Sequence, residues 1–356
     1  MKLAVLQNLV SPTRHALFEA LAERSDLTVL FMARTEPTRG WDAAAELRYP
    51  HEFLPGVHMS LHAGGDVDAV HVNPTVVSAI RRGRYDALLC AGYLSPTSWL
   101  ALGAAKSART RFLLWFGTSW PPAGARGRIA APLKRLIVRS SDAVVAYGEA
   151  ARTQALALGA LPDRVHVAVN TTDVRPFAAA ERYPSTQPTV LWVSRFMPRK
   201  RADLAVSFLA RLAGEVPGLR AVFVGDGPER AATEVAARRA GLDAAFLGDV
   251  AYDDLPMLYA GADLFVLRSE REPWGLVVNE ALAAGVPVLA STGVIAAREL
   301  VPAAAGAVSD DEDVLVEAGA RLIGDPAARA AARAVLPRML PATWADAVVA
   351  AAAAVR

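Results

Sequence analysis

Short apolar runs alternate with helix-patterned stretches from one end of the 356-residue chain to the other. That alternation restricts the fold more than any other feature. Apolar runs with no polar alternation suit strands buried on both faces, which belong to parallel sheets wrapped by helices. In the first half, Lys2–Leu6, Leu27–Ala33, Ala87–Ala91, Arg111–Phe116, Ala143–Tyr147 and Val165–Val169 read as strands. In the second half they are Thr189–Ser194, Ala221–Gly225, Ala245–Leu247, Leu264–Leu267 and Pro287–Ala290. Helix starts are marked where Ser11-Pro12 and Asn73-Pro74 offer a cap followed by proline, and Gly83 stops the second of these helices.

Two such halves predict two doubly wound α/β domains, and the length exceeds what one growing core accommodates. Periodicity fades and proline accumulates from Asn170 to Pro188, so the expected division is 1–173, a linker over 174–188, and 189–341. A last helix from about Ala342 follows Pro337 and Pro341 and carries Trp344.

Composition excludes several classes. Apolar residues make up 53% and charged residues 21%, with a net charge of +2, which describes a globular chain with a large core rather than a nucleic-acid binder. The lone cysteine, Cys90, lies in an apolar run and reads as core packing in a reducing compartment, so a cytoplasmic location is expected. The N-terminal apolar run is too short for a secretory signal. The longest apolar candidate for a membrane span, Ala87 to Ala105, is interrupted by Ser95-Pro-Thr-Ser98 and reads as strand, loop and helix. Any membrane contact is then peripheral.

The segment Glu272-Pro-Trp-Gly-Leu-Val-Val-Asn-Glu-Ala-Leu-Ala-Ala-Gly285 carries the chemistry. A strand leads into it and a helical pattern leaves from Gly275, which places Glu272 in a loop and Glu280 inside a helix. The bare helix start points unpaired amides and a positive dipole end outward, so an anion is expected near Leu276 and Val277. A buried Glu280 can accept hydrogen bonds from two vicinal hydroxyls.

Glu272 and Glu280, with seven residues between them, resemble the E-x7-E signature of the retaining glycosyltransferases of family 4. Three further segments resemble that family in the expected order: Val193-Ser-Arg-Phe-Met-Pro-Arg-Lys200, Val222-Phe-Val-Gly-Asp-Gly-Pro228 and Phe246-Leu-Gly-Asp-Val250. The resemblance spans most of the second half. It implies a GT-B fold, two Rossmann-like domains facing across a cleft, with the final helix, 342–356, crossing back to the first domain. It also implies a donor that is a UDP- or GDP-linked sugar. Arg195 and Lys200 are expected to neutralise the leaving diphosphate, aided by the Leu276 and Val277 amides. Glu272 is expected to face the transferred sugar and Glu280 to hold the ribose. Trp274, Gly275, Gly225, Asp249 and Val250 complete the donor set, although Gly225 serves equally as a plain turn and Asp249 and Val250 as a plain strand exit. No Asp-x-Asp after a strand suggests a metal, and the Asp310-Asp-Glu-Asp313 run reads as a solvated helix start. No cofactor or metal is expected, and the acceptor, whether glycan, lipid-linked or small metabolite, is left open.

The first half departs from that family. Where many members have a glycine-rich loop after the first strand, this chain has Gln7-Asn-Leu-Val-Ser-Pro-Thr-Arg14, which leaves Arg14 as the phosphate candidate. Where many place a histidine, it has Phe116-Gly-Thr-Ser-Trp120, which leaves Thr118 and Ser119 as acceptor-side candidates and puts a catalytic histidine in doubt. His51, His58, His62 and His71 lack metal-ligand spacing. The basic, apolar stretch Arg126–Arg139 fits either a helix packed inward or one lying on anionic lipid. A nucleotide-sugar epimerase on the same fold and a non-catalytic nucleotide-sugar-binding partner of another transferase remain the rival readings.

Overall fold

The computed structural model describes residues 1–35, 47–63, 66–93, 95–120, 124–183, 187–354. The chain divides into two units, Met1–Asp173 with Pro341–Arg356, and Val174–Leu340. The first is built on β1 (Lys2–Leu9), β2 (Asp26–Ala33), β3 (His51–Phe53), β4 (Val57–Ala63), β5 (Asp66–Val72), β6 (Ala87–Ala91), β7 (Arg111–Phe116), β8 (Ala143–Ala146) and β9 (Val165–Val167). Seven of these form one parallel sheet in the order β3-β2-β1-β6-β7-β8-β9, while β4 and β5 make a separate antiparallel hairpin.

The uninterrupted apolar runs have a direct cause here. Alternate residues of each strand enter different cores: Leu6, Cys90, Leu114 and Val144 pack on one face of the sheet, and Val5, Leu89, Leu113 and Val145 on the other. Cys90 is fully buried, and burial pushes its thiol up to about 12, so it packs and does not react. The second of these cores is closed by the last helix, Pro341–Ala354, whose Trp344 lies 5.0 Å from the Trp115 ring. The expected return of the final helix to the first unit is observed.

The second unit holds β10 (Thr189–Val193), β11 (Arg220–Val224), β12 (Ala244–Phe246), β13 (Leu264–Leu267), β14 (Val288–Ala290) and β15 (Gly306–Val308), all parallel in the order β12-β11-β10-β13-β14-β15. Helices follow nearly every strand, so both units are Rossmann-like. The 174–188 stretch, expected as a linker, is counted with the second unit. It contains the short helix Arg175–Ala179, whose Phe177 is fully buried against the rings of Tyr252 and Tyr259. Asp311 caps the Glu312–Leu322 helix by accepting from the Asp313 amide, as the acidic run suggested.

Candidate functional site

A parallel sheet sends every strand exit to one edge, and in open α/β sheets that edge is where ligands bind. In the second unit the exits of β10, β11, β12 and β13 carry the four motif segments, so the topology gathers what the sequence scatters. The β13 exit is pinned on both sides. Glu270 donates its amide to the Arg199 carbonyl at 2.9 Å, and Glu272 donates to Gly293 at 2.9 Å in a parallel bridge with Val294. The Ala296 amide then reaches the Trp274 carbonyl at 2.9 Å. Gly293 is required there, since a Cβ would collide with the Glu270 carbonyl.

That framework sets Glu272 against Lys200. The two form an ion pair with side chains 13% and 12% exposed, and Arg199 stands 3.8 Å from the same carboxylate oxygen. Two cations therefore converge on one carboxylate at the sheet edge. Arg195, the other expected cation, is exposed, and its side chain makes no ion pair with the described residues. Its loop is nevertheless fixed, because Phe196 donates to Asp226 at 2.9 Å and accepts from Glu229 at 3.0 Å. Gly225 makes that contact possible: its φ is 117° and a Cβ would strike the Ser194 carbonyl. The glycine is thus explained by backbone packing, and its amide is used by Gly248 at 2.7 Å. Asp249 is exposed and Val250 half-buried just beyond β12.

Gly275, at φ 101°, turns the chain into the Leu276–Ala283 helix. Leu276 and Val277 are half-buried at its first turn, where helical amides have no partner within the helix. Trp274 is 3% exposed and donates its Nε1–H to Asn279 at 3.0 Å, so it plugs the base of the helix start instead of facing solvent. Glu280 lies 3% exposed on the buried face. Tyr259 donates to one carboxylate oxygen at 3.0 Å and Tyr252 to the other at 3.4 Å. Burial outweighs these two hydrogen bonds and raises the Glu280 carboxyl from 4.5 to about 7. The Tyr259 hydroxyl is itself held well above its ordinary range by burial and by Glu280. With four lone-pair sites on a carboxylate and two engaged, Glu280 retains capacity for two more donors.

Tyr252, Tyr259 and Arg199 were absent from the sequence-derived set. The tyrosines are seven residues apart in the turn and helix before β13, and nothing in that spacing pointed to Glu280.

In the first unit, Arg14 is already engaged. Its guanidinium stacks 4.5 Å from the Trp115 ring and donates to Asn170 at 2.7 Å, and burial lowers its pKa. Thr118 shares a 2.7 Å hydrogen bond with Tyr93, whose ring has the Lys134 ammonium 5.6 Å away, and Ser119 lies on the same loop. His51 bonds to the Tyr49 carbonyl, and His58 and His71 face each other with Nδ1 atoms 3.0 Å apart across the β4–β5 hairpin. The His62 side chain lies outside the described residues. No group of three or more potential metal ligands occurs among the described residues.

Residues 174–334 match the sequence profile of the family described as Glycosyl transferases group 1. The sulfoquinovosyl transferase of Arabidopsis thaliana is 38% identical over 30% of this chain and 19% of its own length. A Mycobacterium tuberculosis protein named GDP-mannose-dependent alpha-(1-6)-phosphatidylinositol monomannoside mannosyltransferase is 37% identical over 34% of this chain and 36% of its own. The chain thus spans well under two thirds of the curated relatives it matches. Solved structures align throughout: the Anabaena protein HepE, in complex with UDP and glucose, at TM-score 0.72 and 20% identity over 98% of each chain. A glycosyltransferase of Rickettsia africae aligns at TM-score 0.75 and 15% identity over 100% of this chain and 99% of that one. At such identities the likeness establishes the fold, two Rossmann-like units of the GT-B class.

Proposed function

We propose that the chain is a group 1 glycosyltransferase that moves a sugar from a UDP- or GDP-linked donor to an acceptor hydroxyl, with retention and without a metal. The observation that carries the reading is the single sheet edge of the second unit, where the Lys200–Glu272 pair, a helix start and the buried Glu280 lie on one framework. The profile match over 174–334 and the relatives named as using GDP-mannose support it.

The chemistry follows from charge. As the bond from the anomeric carbon to the diphosphate oxygen breaks, negative charge grows on phosphate and positive charge on the sugar. Fixed cations and oriented amides stabilise the first without reorganising. Lys200 and Arg199, together with the helix-start amides, supply that field. Bound donor draws Lys200 toward phosphate, which leaves Glu272 to support the anomeric carbon. The acceptor oxygen bonds to that carbon on the face the phosphate leaves, and its proton passes to a phosphate oxygen. Glu280 holds the two ribose hydroxyls with its remaining acceptor capacity. The single buried Cys90 suits a reducing compartment, and we place the protein in the cytoplasm.

The test is calorimetric titration of UDP- and GDP-linked sugars in the presence of EDTA. One donor is expected to bind, and Lys200→Met to weaken binding and slow hydrolysis on the order of 100-fold. Absence of binding by every donor would overturn the reading.

A further inference from the structure

At the exit of the first unit's sheet, polar atoms are buried with nothing to bond to. Val5, Leu89 and Leu113 align across β1, β6 and β7 and face the core that the last helix closes. Gln7, Ala91 and Trp115 lie two residues further along the same strands, so their side chains leave the same face one row nearer the edge. Gln7 is 7% exposed and Trp115 2%. Gln7 donates its Nε2–H to Asn8 at 2.9 Å, but neither its Oε1 nor the Trp115 Nε1–H has a hydrogen-bond partner among the described residues. Ala91, standing between them, contributes only a methyl group. On the helix that follows β1, His15 shares a 3.0 Å hydrogen bond with Tyr49 through Nδ1, and its buried Nε2 is likewise unpartnered. Buried polar atoms are nearly all hydrogen-bonded in folded proteins, so orphans gathered along one edge call for a bonding partner from elsewhere.

Arg14 adds a charge. Its guanidinium lies over the Trp115 ring at 4.5 Å, and the acceptors it serves, Asn170 at 2.7 Å and the Thr171 carbonyl at 3.4 Å, are neutral. Glu19 acts on His15 and Tyr49 but not on Arg14, whose pKa is lowered by burial with only the Tyr147 hydroxyl opposing it. A guanidinium has more N–H donors than these acceptors use, and a half-buried cation without a carboxylate keeps its affinity for an anion.

From this juxtaposition we infer that the β1–β7 edge of the first unit binds a polyhydroxylated anion, with its phosphate or carboxylate on Arg14 and its hydroxyls on Gln7, His15 and Trp115. The two demands select the ligand together. A simple anion leaves the Gln7 oxygen unsatisfied, and a neutral sugar leaves the guanidinium unsatisfied, whereas hydroxyls both donate and accept and so serve every orphaned atom. Calling this ligand the acceptor rests on the transferase reading; the acceptor is then an anionic polyol, as a free monoester or as the diester of a lipid headgroup.

The test follows the Trp115 indole N–H by NMR in the isotope-labelled full chain, the resonance being assigned from its loss in Trp115→Phe. Glucose 6-phosphate, mannose 6-phosphate or glucuronate should shift it saturably, and glucose or inorganic phosphate should bind on the order of tenfold more weakly than the best of them. Arg14→Gln should weaken the anionic sugars on the order of 10- to 100-fold and bring them level with glucose, while Arg14→Lys recovers part of the loss. Melting curves establish that both variants fold, and the comparison of probes on the unaltered protein stands without them. The methyl diester of the tighter sugar phosphate separates the sources: retained binding marks a headgroup, lost binding a free monoester. A resonance that no anionic sugar moves, that responds equally in Arg14→Gln, or that a UDP- or GDP-linked sugar moves by itself would overturn the inference. Donor binding by calorimetry without anionic-sugar binding removes this inference alone, and the converse removes the transferase reading and keeps the site.

Discussion

Glu280→Gln should stabilise the protein at pH 8 and leave it nearly unchanged at pH 5. The carboxyl is raised from 4.5 to about 7 because it is buried, with only Tyr259 and Tyr252 to hold its charge. Between those two values the folded protein keeps a proton that the unfolded chain has lost, so stability falls as pH rises through that window and the penalty is complete above about 7. Displacement from 4.5 to about 7 corresponds to about 3 kcal/mol. Glutamine has the same shape and cannot ionise, so the penalty disappears in the variant. Urea unfolding followed by tryptophan fluorescence at both pH values gives the double difference, in which every other titrating group cancels. It should approach 3 kcal/mol, or on the order of 5 to 10 °C in Tm. Parallel stability curves for the two proteins would show that Glu280 ionises freely, and the argument from burial would be wrong.

Tyr259→Phe removes the 3.0 Å hydrogen bond to the ionised carboxylate, and the Glu280 pKa should rise further; unfolding should show a loss of about 1 to 3 kcal/mol at pH 8 and a smaller one at pH 5. Gly275→Ala asks a side chain to adopt φ 101° with its Cβ 3.1 Å from the Glu272 Cγ, and denaturation should report a cost of about 1 to 3 kcal/mol together with weaker donor binding by calorimetry. If the Gly275 variant melts and binds unchanged, the helix start does not depend on that turn.

Long apolar runs made the fold readable. Ala87–Ala91, Arg111–Phe116 and Leu264–Leu267 were delimited from sequence because both faces of these strands are buried and no polar residue interrupts their interiors. The short edge strands β3 and β15 and the β4–β5 hairpin were not seen. β3 carries His51 and Glu52 and β15 opens on Gly306, so neither shows an apolar run, and His58, Ser60, His62, Asp66, Asp68 and His71 make the hairpin look like a polar loop. At the candidate site, local signals placed Gly275 at the helix start, Glu272 in the loop and Glu280 in the helix, as the structure has them, while Lys200 was named only through the family resemblance. The tyrosines on Glu280 are a tertiary matter, since only folding brings the 252–260 segment beneath the Leu276–Ala283 helix. The same holds for Trp274, whose burial and bond to Asn279 no local pattern announced.

The return of Pro341–Ala354 to the first unit has a consequence for biosynthesis. β1 is translated before the second unit, yet the hydrophobic face that holds Leu3, Val5 and Trp115 stays uncovered until Trp344 follows, after the whole second unit has been translated. The second unit is continuous in sequence and can close as soon as it is made. The first unit is therefore begun before the second and finished after it, and in that interval an open apolar sheet face is exposed to chaperones and to aggregation. A stop codon within Pro341–Ala354 would damage the unit whose strands were synthesised before the second unit was begun.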